Sequence, residues 1–414
     1  MPAVTLALAQ PEDVPLLARV QRLAFEALAL NRALFGQVTI DDRESYNAAR
    51  LAKGLSDPTK ALIKATLPPR EEGGAEELVG FALWDLPKEY TAEGNEAEQR
   101  LKRSYPPGTN VELADEFFSR ANFRMEGRHY HLSILVVDPR RQRTGAGTAL
   151  MRWGMRKADE DRLPVDLKAT DVGVHLYTRC GFSPYRDPLV AADGSFSLLP
   201  MSRPALSILP LSRSDIPQLP SIWFHAFRRA RWVQHCFSRV TLADYTPWRI
   251  RQWEKALDEK EKTGEGEVWV AKRGNKVVGY AGWSRKTEKA GNVVASAEEE
   301  GKEQDLPAGA DVERARAVLK LVETFEASIP YVHYSLDSLA ITPEEQGTGL
   351  GKLLVRMLLD KADEEGVKVT LESTDIPFYE RLGFTHLAPP LRVEDLPDVD
   401  LLYPMVYDPA SRQV

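Results

Sequence analysis

The stretch Gln346-Gly347-Thr348-Gly349-Leu350-Gly351-Lys352 decides how this chain is read. An apolar, strand-like run at 336–341 and the pair Thr342-Pro343 come before it. After it, Leu353, Leu354, Met357, Leu358 and Ala362 recur at helical spacing. The same arrangement stands earlier in the chain as Gln142-Arg143-Thr144-Gly145-Ala146-Gly147-Thr148. There it follows the run 132–137 and Asp138-Pro139, and precedes Leu150, Met151, Met155 and Ala158. A glycine turn between a strand end and a helix start has a direct use. The first helical turn carries unpaired N–H groups and partial positive charge. Glycines remove the Cβ atoms that would keep a diphosphate away from those amides.

Other uses of the turn fit less well. A Walker loop needs Gly-x-x-x-x-Gly-Lys-[Ser/Thr], and 346–353 has Gln346 and Leu353 at the two ends. A dinucleotide fingerprint needs Gly-x-Gly-x-x-Gly; the spacing Gly347, Gly349, Gly351 departs from it, and Arg143 replaces the first glycine in the other copy. A glycine turn used only for packing stays open for either copy taken alone.

The recurrence extends along the whole chain. Asp13-Val14-Pro15 returns as Asp215-Ile216-Pro217, and Val79-Gly80-Phe81-Ala82 as Val278-Gly279-Tyr280-Ala281. His129-Tyr130 returns as His333-Tyr334, Tyr177-x-x-x-Gly181-Phe182 as Tyr379-x-x-x-Gly383-Phe384, and Pro200-Met201 as Pro404-Met405. Matches in one order at nearly constant offset indicate duplication. They divide the chain into domains at 1–203 and 204–414.

Each copy alternates strands and helices, the pattern of an α/β (α+β) domain. The first predicts helices over 14 to about 34, 43–54 and 111–121; the second over 216 to about 237, 248–263 and 312–327. The run Glu298-Glu299-Glu300-Gly301-Lys302-Glu303 reads as a solvated loop. With 414 residues and 43% hydrophobic content, the chain can build more than one ordinary core. Its formal charge of -7 argues against a nucleic-acid partner. Its two cysteines, Cys180 and Cys236, form neither a disulfide framework nor a zinc cluster and suit a reducing compartment. The apolar start, Met1 to Ala9, meets Glu12-Asp13 at once and reads as a first strand. No apolar run reaches the roughly 18–20 residues of a membrane span. A cytoplasmic protein without membrane or metal is the expectation; oligomeric state is not legible.

Gln142-x-x-Gly145-x-Gly147 with Tyr177-x-x-x-Gly181-Phe182, and Gln346-x-x-Gly349-x-Gly351 with Tyr379-x-x-x-Gly383-Phe384, resemble the GNAT superfamily of acyl-CoA-dependent N-acyltransferases. The resemblance covers essentially the whole chain as two tandem copies and is most like fungal members. It implies, for each copy, a mixed, twisted sheet split into a V and flanked by helices. Acetyl-CoA would be the acyl donor, and no metal is needed. Its pantetheine arm would pair with the backbone of Leu135-Val136-Val137 or Leu339-Ala340-Ile341. The two turns, from Gln142 to Thr148 and from Gln346 to Lys352, would hold its diphosphate. A strand His or carboxylate often serves as base in this family; His131, with His129 and Ser133 on one face, and Asp337, with His333 and Ser335, fill that place. A hydrogen-bonded His at a sheet end is the plain structural reading of His131. Tyr177 and Tyr379 resemble the family's general acid, although copy two is two residues shorter between Asp375 and its Tyr than copy one after Asp171. Cys180 reads as a packing residue. Acceptor-pocket residues are expected from Phe25, Asn31 and Phe35 in one copy and Phe227, Arg228, Arg231 and Trp232 in the other.

The implied reaction moves acetyl from acetyl-CoA to a primary amine, of a small molecule, by direct attack. Two alternatives stand beside it. In one, a single copy is catalytic and the other is a CoA-binding scaffold. In the other, the protein is a dinucleotide-dependent oxidoreductase.

Overall fold

The computed structural model describes residues 4–69, 74, 76–100, 103–264, 266–287, 305–396 and 398–412. The acidic run at 298–303 lies outside the described residues. The chain divides into two compact units, Met1–Leu206 and Ser207–Val414.

In the first unit, the strands are β1 (Thr5–Leu8), β2 (Lys60–Leu67), β3 (Glu77–Lys88), β4 (His129–Val137), β5 (Val165–Ala169), β6 (Ser183–Pro184), β7 (Leu189–Val190) and β8 (Ser197–Arg203). They form one mixed sheet in the order β1-β2-β3-β4-β5-β8-β6, with β7 against β8. The helices are α1 (Val14–Phe25), α2 (Ala29–Phe35), α3 (Ile40–Leu55), α4 (Ala92–Gln99), α5 (Val111–Ala121), α6 (Ala146–Glu160) and α7 (Asp171–Arg179). The second unit continues with α8 (Leu219–Phe227), α9 (Arg231–Phe237), α10 (Leu242–Thr263), α11 (Val312–Ala327), α12 (Leu350–Glu365) and α13 (Ile376–Glu380). Its strands, β9 (Leu206–Pro210), β10 (Glu267–Arg273), β11 (Lys276–Lys286), β12 (His333–Ile341), β13 (Lys368–Ser373), β14 (Thr385–His386) and β15 (Tyr403–Tyr407), run β14-β15-β13-β12-β11-β10-β9 across the sheet. The predicted insertion helices α5 and α11 have the expected bounds. The first helical region of each copy is two helices, because the chain turns between Phe25 and Ala29 and between Phe227 and Arg231.

In each sheet one internal pair is parallel, β4–β5 and β12–β13. Parallel neighbours need a crossover of a dozen or more residues, and α6 and α12 supply it. The parallel ladders are short. Strand β4 meets β5 only at Tyr130–Val165, His131–Asp166 and Leu132–Leu167. Strand β12 meets β13 only at His333–Lys368, Tyr334–Val369 and Ser335–Thr370. Beyond those pairs the strands separate, and this fork is the V-shaped split of each sheet. On their other side β4 and β12 stay bonded to β3 and β11 up to Val137 and Ile341.

Alternation sends Tyr130, Leu132, Val165 and Leu167 into a core with Leu150, Met151 and Met155 of α6. Val136 joins the opposite core, with Leu17 and Val20 of α1 and Leu51 of α3. In the second unit Ala340 packs with Ile222 and Trp223 of α8 and with Tyr280. Among the described residues no helix is long and apolar enough to cross a membrane.

Candidate active site

Each fork is bordered by a β-bulge. Leu83 pairs with Ile134 but Trp84 with Leu132, so Ser133 is the extra residue. Gly282 pairs with Ser338 but Trp283 with Leu336, so Asp337 is the extra residue. Ser133 and Asp337 therefore occupy one position in the two copies, and His131 corresponds to Ser335.

The glycine turns have the expected backbone. Gly145 and Gly349 sit at φ 90° and 103°, the left-handed region, immediately before α6 and α12. A Cβ built on Gly145 would meet nothing within 4 Å among the described residues, so that side of the turn is open to them. Helical bonding starts with Ala149 N–H to Gly145 C=O at 2.9 Å and Leu353 N–H to Gly349 C=O at 3.0 Å. The amides of Gly147 and Thr148, and of Gly351 and Lys352, precede these bonds and have no i−4 carbonyl to take. Gly147 and Gly351 have a packing role: their Cβ positions lie 3.7 Å from Leu176 and Val137 and 3.4 Å from Phe378. The Thr144 and Thr348 hydroxyls donate inward, to Arg141 C=O at 2.8 Å and Glu345 C=O at 2.7 Å. What these threonines offer a ligand is therefore mainly backbone.

Each turn is anchored to the sheet by an ion pair, with signs exchanged between copies. Arg141 lies on Glu77 through two bonds of 2.8 and 2.7 Å. At the matching place Glu345, 2% exposed, accepts from Arg273 of β10 at 2.6 and 3.1 Å. The residues present fit a diphosphate with a pantetheine arm. Beyond each fork, Leu135, Val136 and Val137, or Leu339, Ala340 and Ile341, have no strand partner on the β5 or β13 side among the described residues.

At the first fork, His131 Nδ1 lies 2.6 Å from Asp166 Oδ1, and His129 Nε2 is 3.2 Å from the same oxygen. Burial, aided by the Arg124 charge, pushes the His131 imidazole down to about 4, so it is neutral at pH 7. Burial opposes ionisation of Asp166, but the two imidazoles outweigh it and hold that carboxyl well below the usual range. Asp85 pairs with Lys60, with Arg124 at 3.4 Å and with Ser133 Oγ at 3.1 Å.

The second fork is acidic. Ser284 Oγ donates to Asp337 at 3.2 Å, Ser335 Oγ reaches Glu326 Oε1 at 3.4 Å, and Lys286 Nζ stands 3.3 Å from Glu326. Asp337 is open to solvent yet crowded by protein, as a side chain in a cleft is; the crowding raises its carboxyl despite Lys286 and the two serines. Glu372 on β13 is half-buried, and burial with the neighbouring Glu326 and Asp337 pushes it up to about 7. Sequence reading missed Glu372, Glu326, Asp166 and Lys168. A titratable residue inside an apolar strand, as in Leu371-Glu372-Ser373 and Leu167-Lys168-Ala169, was the available signal.

The two tyrosines converge despite the shorter α13. Phe182 N–H bonds Tyr177 C=O at 3.0 Å and Phe384 N–H bonds Tyr379 C=O at 3.1 Å. Both rings are buried beside Phe182 and Phe384, and burial raises both phenols, which stay protonated through neutral pH. Cys180 is a buried core residue.

Asn31 accepts from Arg43 at 3.1 Å and Phe35 lies under the Arg43 guanidinium at 3.6 Å, so both are held structurally. Trp232 packs against Trp223 and Phe237. Arg228 lines a cavity of about 300 Å³ with Phe224, Arg229, Val233 and Gln234. Asp337, Glu372 and Tyr379 do not line it, so the fork and not this cavity holds the titratable groups. Among the described residues no group of three or more His, Cys, Asp or Glu is placed to hold a metal ion.

Comparison with known proteins gives two family matches. Residues 227–384 match the acetyltransferase (GNAT) family, and residues 88–203 match an acetyltransferase (GNAT) domain. An acetyltransferase of Stachybotrys chartarum (strain CBS 109288 / IBT 7711) is 26% identical over 204 residues, covering 47% of this chain and 86% of that protein. Two solved structures each align with about half of the chain. The histone acetyltransferase HPA2 and related acetyltransferase of Corynebacterium glutamicum is 22% identical, with TM-score 0.34, covering 50% of this chain and 97% of that one. The paia N-acetyltransferase of Thermoplasma acidophilum, in complex with coenzyme A, is 14% identical, with TM-score 0.29, covering 48% and 98%. Neither family match gives any support to a dinucleotide-dependent oxidoreductase.

Proposed function

The chain belongs to the GNAT acetyltransferases, two copies in tandem, and from that premise we propose that it moves acetyl from acetyl-CoA to a primary amine of a small molecule, with the C-terminal copy as the site of turnover. One observation carries the reading: in that copy an open strand edge, a glycine turn at a helix start and a pair of carboxyls of raised pKa meet at one fork.

Acetyl-CoA, when bound, supplies the acyl group as an activated thioester. The amides of Gly351 and Lys352, with the turn Gln346-Gly347-Thr348-Gly349-Leu350, would take its diphosphate. The free edge at Leu339, Ala340 and Ile341 would hold the pantetheine arm by backbone bonds. An alkyl amine titrates near 10.4 and must lose a proton before it can attack. Glu372, poised near neutrality, and Asp337 across the fork would take that proton. The buried Tyr379 phenol would donate to the departing sulfur. An acidic fork also favours a cationic amine over an anionic acceptor.

A reading in which both copies turn over keeps His131 as the N-terminal base, with Tyr177 as acid. Its Nδ1 is engaged by Asp166, and the described residues give its Nε2 no hydrogen bond. The domains would be 1–203 and 204–414, each with its own coenzyme site. An amine panel scored by release of free CoA thiol tests the reading, with product identified by mass. Tyr379→Phe should lose most of the turnover and Tyr177→Phe little. Equal loss in both would mean two working sites, and thiol release with no amine of the panel would sink amine acetylation.

A further inference from the structure

Counting from the aligned ladder pairs Tyr130–Val165 and Tyr334–Val369 puts Lys168 at the position of Glu372. Lys168 is the first β5 residue beyond the last β4–β5 pair, so it stands at the N-terminal fork. By alternation it shares the face of Asp166 and His131, opposite to the α6 core that holds Leu167 and Ala169. Its Nζ donates to Phe123 C=O at 2.5 Å and lies 4.5 Å from the centre of the Phe123 ring. Arg186 covers the same ring at 4.5 Å. The fork has Ser133 where the other copy has Asp337, so neither of the two C-terminal carboxyls has a counterpart here. Asp85 and Asp166 are nearby but engaged, by Lys60, Arg124 and Ser133 and by the two histidines.

We infer that the N-terminal copy acetylates its own Lys168, which follows the last β4–β5 pair, where the strands part and a bound thioester would be presented. The inference rests on the reading that this copy holds acetyl-CoA. Burial, with Arg124 and Arg186 alongside and Asp166 and Asp85 opposing them, pushes the Lys168 ammonium down to about 7. At neutral pH about half of it is then free amine, against well under one in a thousand for an ordinary lysine. No separate base is needed to prepare such a nucleophile. The N–C bond forms between Nζ and the acetyl carbonyl carbon, the C–S bond breaks, and the proton released by Nζ ends on the departing sulfur, giving the CoA thiol. The event occurs once per chain. It removes the only amine at this fork among the described β5 residues and leaves a neutral amide beside Arg124 and Arg186.

The test uses the full chain incubated with acetyl-CoA at neutral pH, with peptide mass spectrometry of every lysine over time and calorimetry counting CoA sites. The expected result is acetyl on Lys168 at least about tenfold faster than on exposed lysines such as Lys53. Excess CoA should suppress it, and Gly145→Asp should abolish it while Gly349→Asp leaves it. If CoA fills both copies and Lys168 gains acetyl no faster than Lys53, self-acetylation is wrong and the coenzyme reading survives. If calorimetry finds one site and Gly145→Asp leaves it intact, the N-terminal coenzyme reading fails and the inference with it. Labelling of Lys168 that excess CoA does not suppress would be bulk chemistry and would also overturn the inference.

Discussion

Glu372 and Lys168 bring groups of opposite charge to one place in two related sheets, and burial moves both toward neutrality. A carboxyl rises and an ammonium falls for the same reason: the charged form of each loses water. For Glu372 this has two consequences of opposite value. In the proposed role of base it must be ionised, so kcat/KM for the acceptor should rise with pH through about 7, and Glu372→Gln should flatten that limb. As a structural group it opposes folding when ionised, because its folded pKa lies above the ordinary 4.5. The penalty is absent below about pH 4.5 and complete above about pH 7, on the order of 3 kcal/mol. Glu372→Gln should therefore melt above the parent at pH 8 and coincide with it near pH 4, and a melting temperature below the parent's at pH 8 would contradict this. Tyr379→Phe keeps the buried ring and removes only the donor. Its kcat should fall by about 10- to 100-fold while acetyl-CoA affinity holds, as measured by steady-state kinetics beside calorimetry.

At the scale of elements, the glycine turn combines a backbone requirement with an anchor. Gly349 at φ 103° has a conformation that a side chain makes unfavourable by roughly 1–2 kcal/mol. Gly349→Ala should lower stability by about that amount and weaken CoA binding at the C-terminal site, read by thermal melts and by calorimetry. Arg273 and Glu345 tie the turn to β10 within the protein interior. Arg273→Met leaves Glu345 buried without that partner and should destabilise the chain by about 3–5 kcal/mol. Strand, turn and helix were legible because local periodicity and glycine placement dictate them. The breaks between α1 and α2 and between α8 and α9, the short α4 and the exchange of charge between the two anchors were not. Those depend on partners such as Glu77 for Arg141 and Arg273 for Glu345, which lie far away in sequence.

At the scale of the whole chain, two copies of one fold carry different chemistry at their forks. The N-terminal fork holds a neutral imidazole tied to a carboxylate, with Arg124 and Lys168 beside it. The C-terminal fork holds Asp337, Glu326 and Glu372. Calorimetry with CoA should give two sites per chain, and Gly349→Asp should leave one. Turnover of a cationic amine should disappear with the C-terminal site and survive loss of the N-terminal one.

The sequence by itself determined the duplication, the order of strands and helices, the two glycine turns, the tyrosines ahead of Gly-Phe and the family these resemble. All of these are local patterns or their recurrence, and a single strand of text preserves them. Only tertiary structure decided which charges share a fork. The partnership of His131 with Asp166 spans 35 residues and exists because a parallel ladder sets them side by side. Glu372 reaches a near-neutral carboxyl because α11, β12 and β13 place Glu326 and Asp337 near it while removing water. Desolvation and Coulomb interaction depend on distance in space, and the linear order of residues does not record that distance.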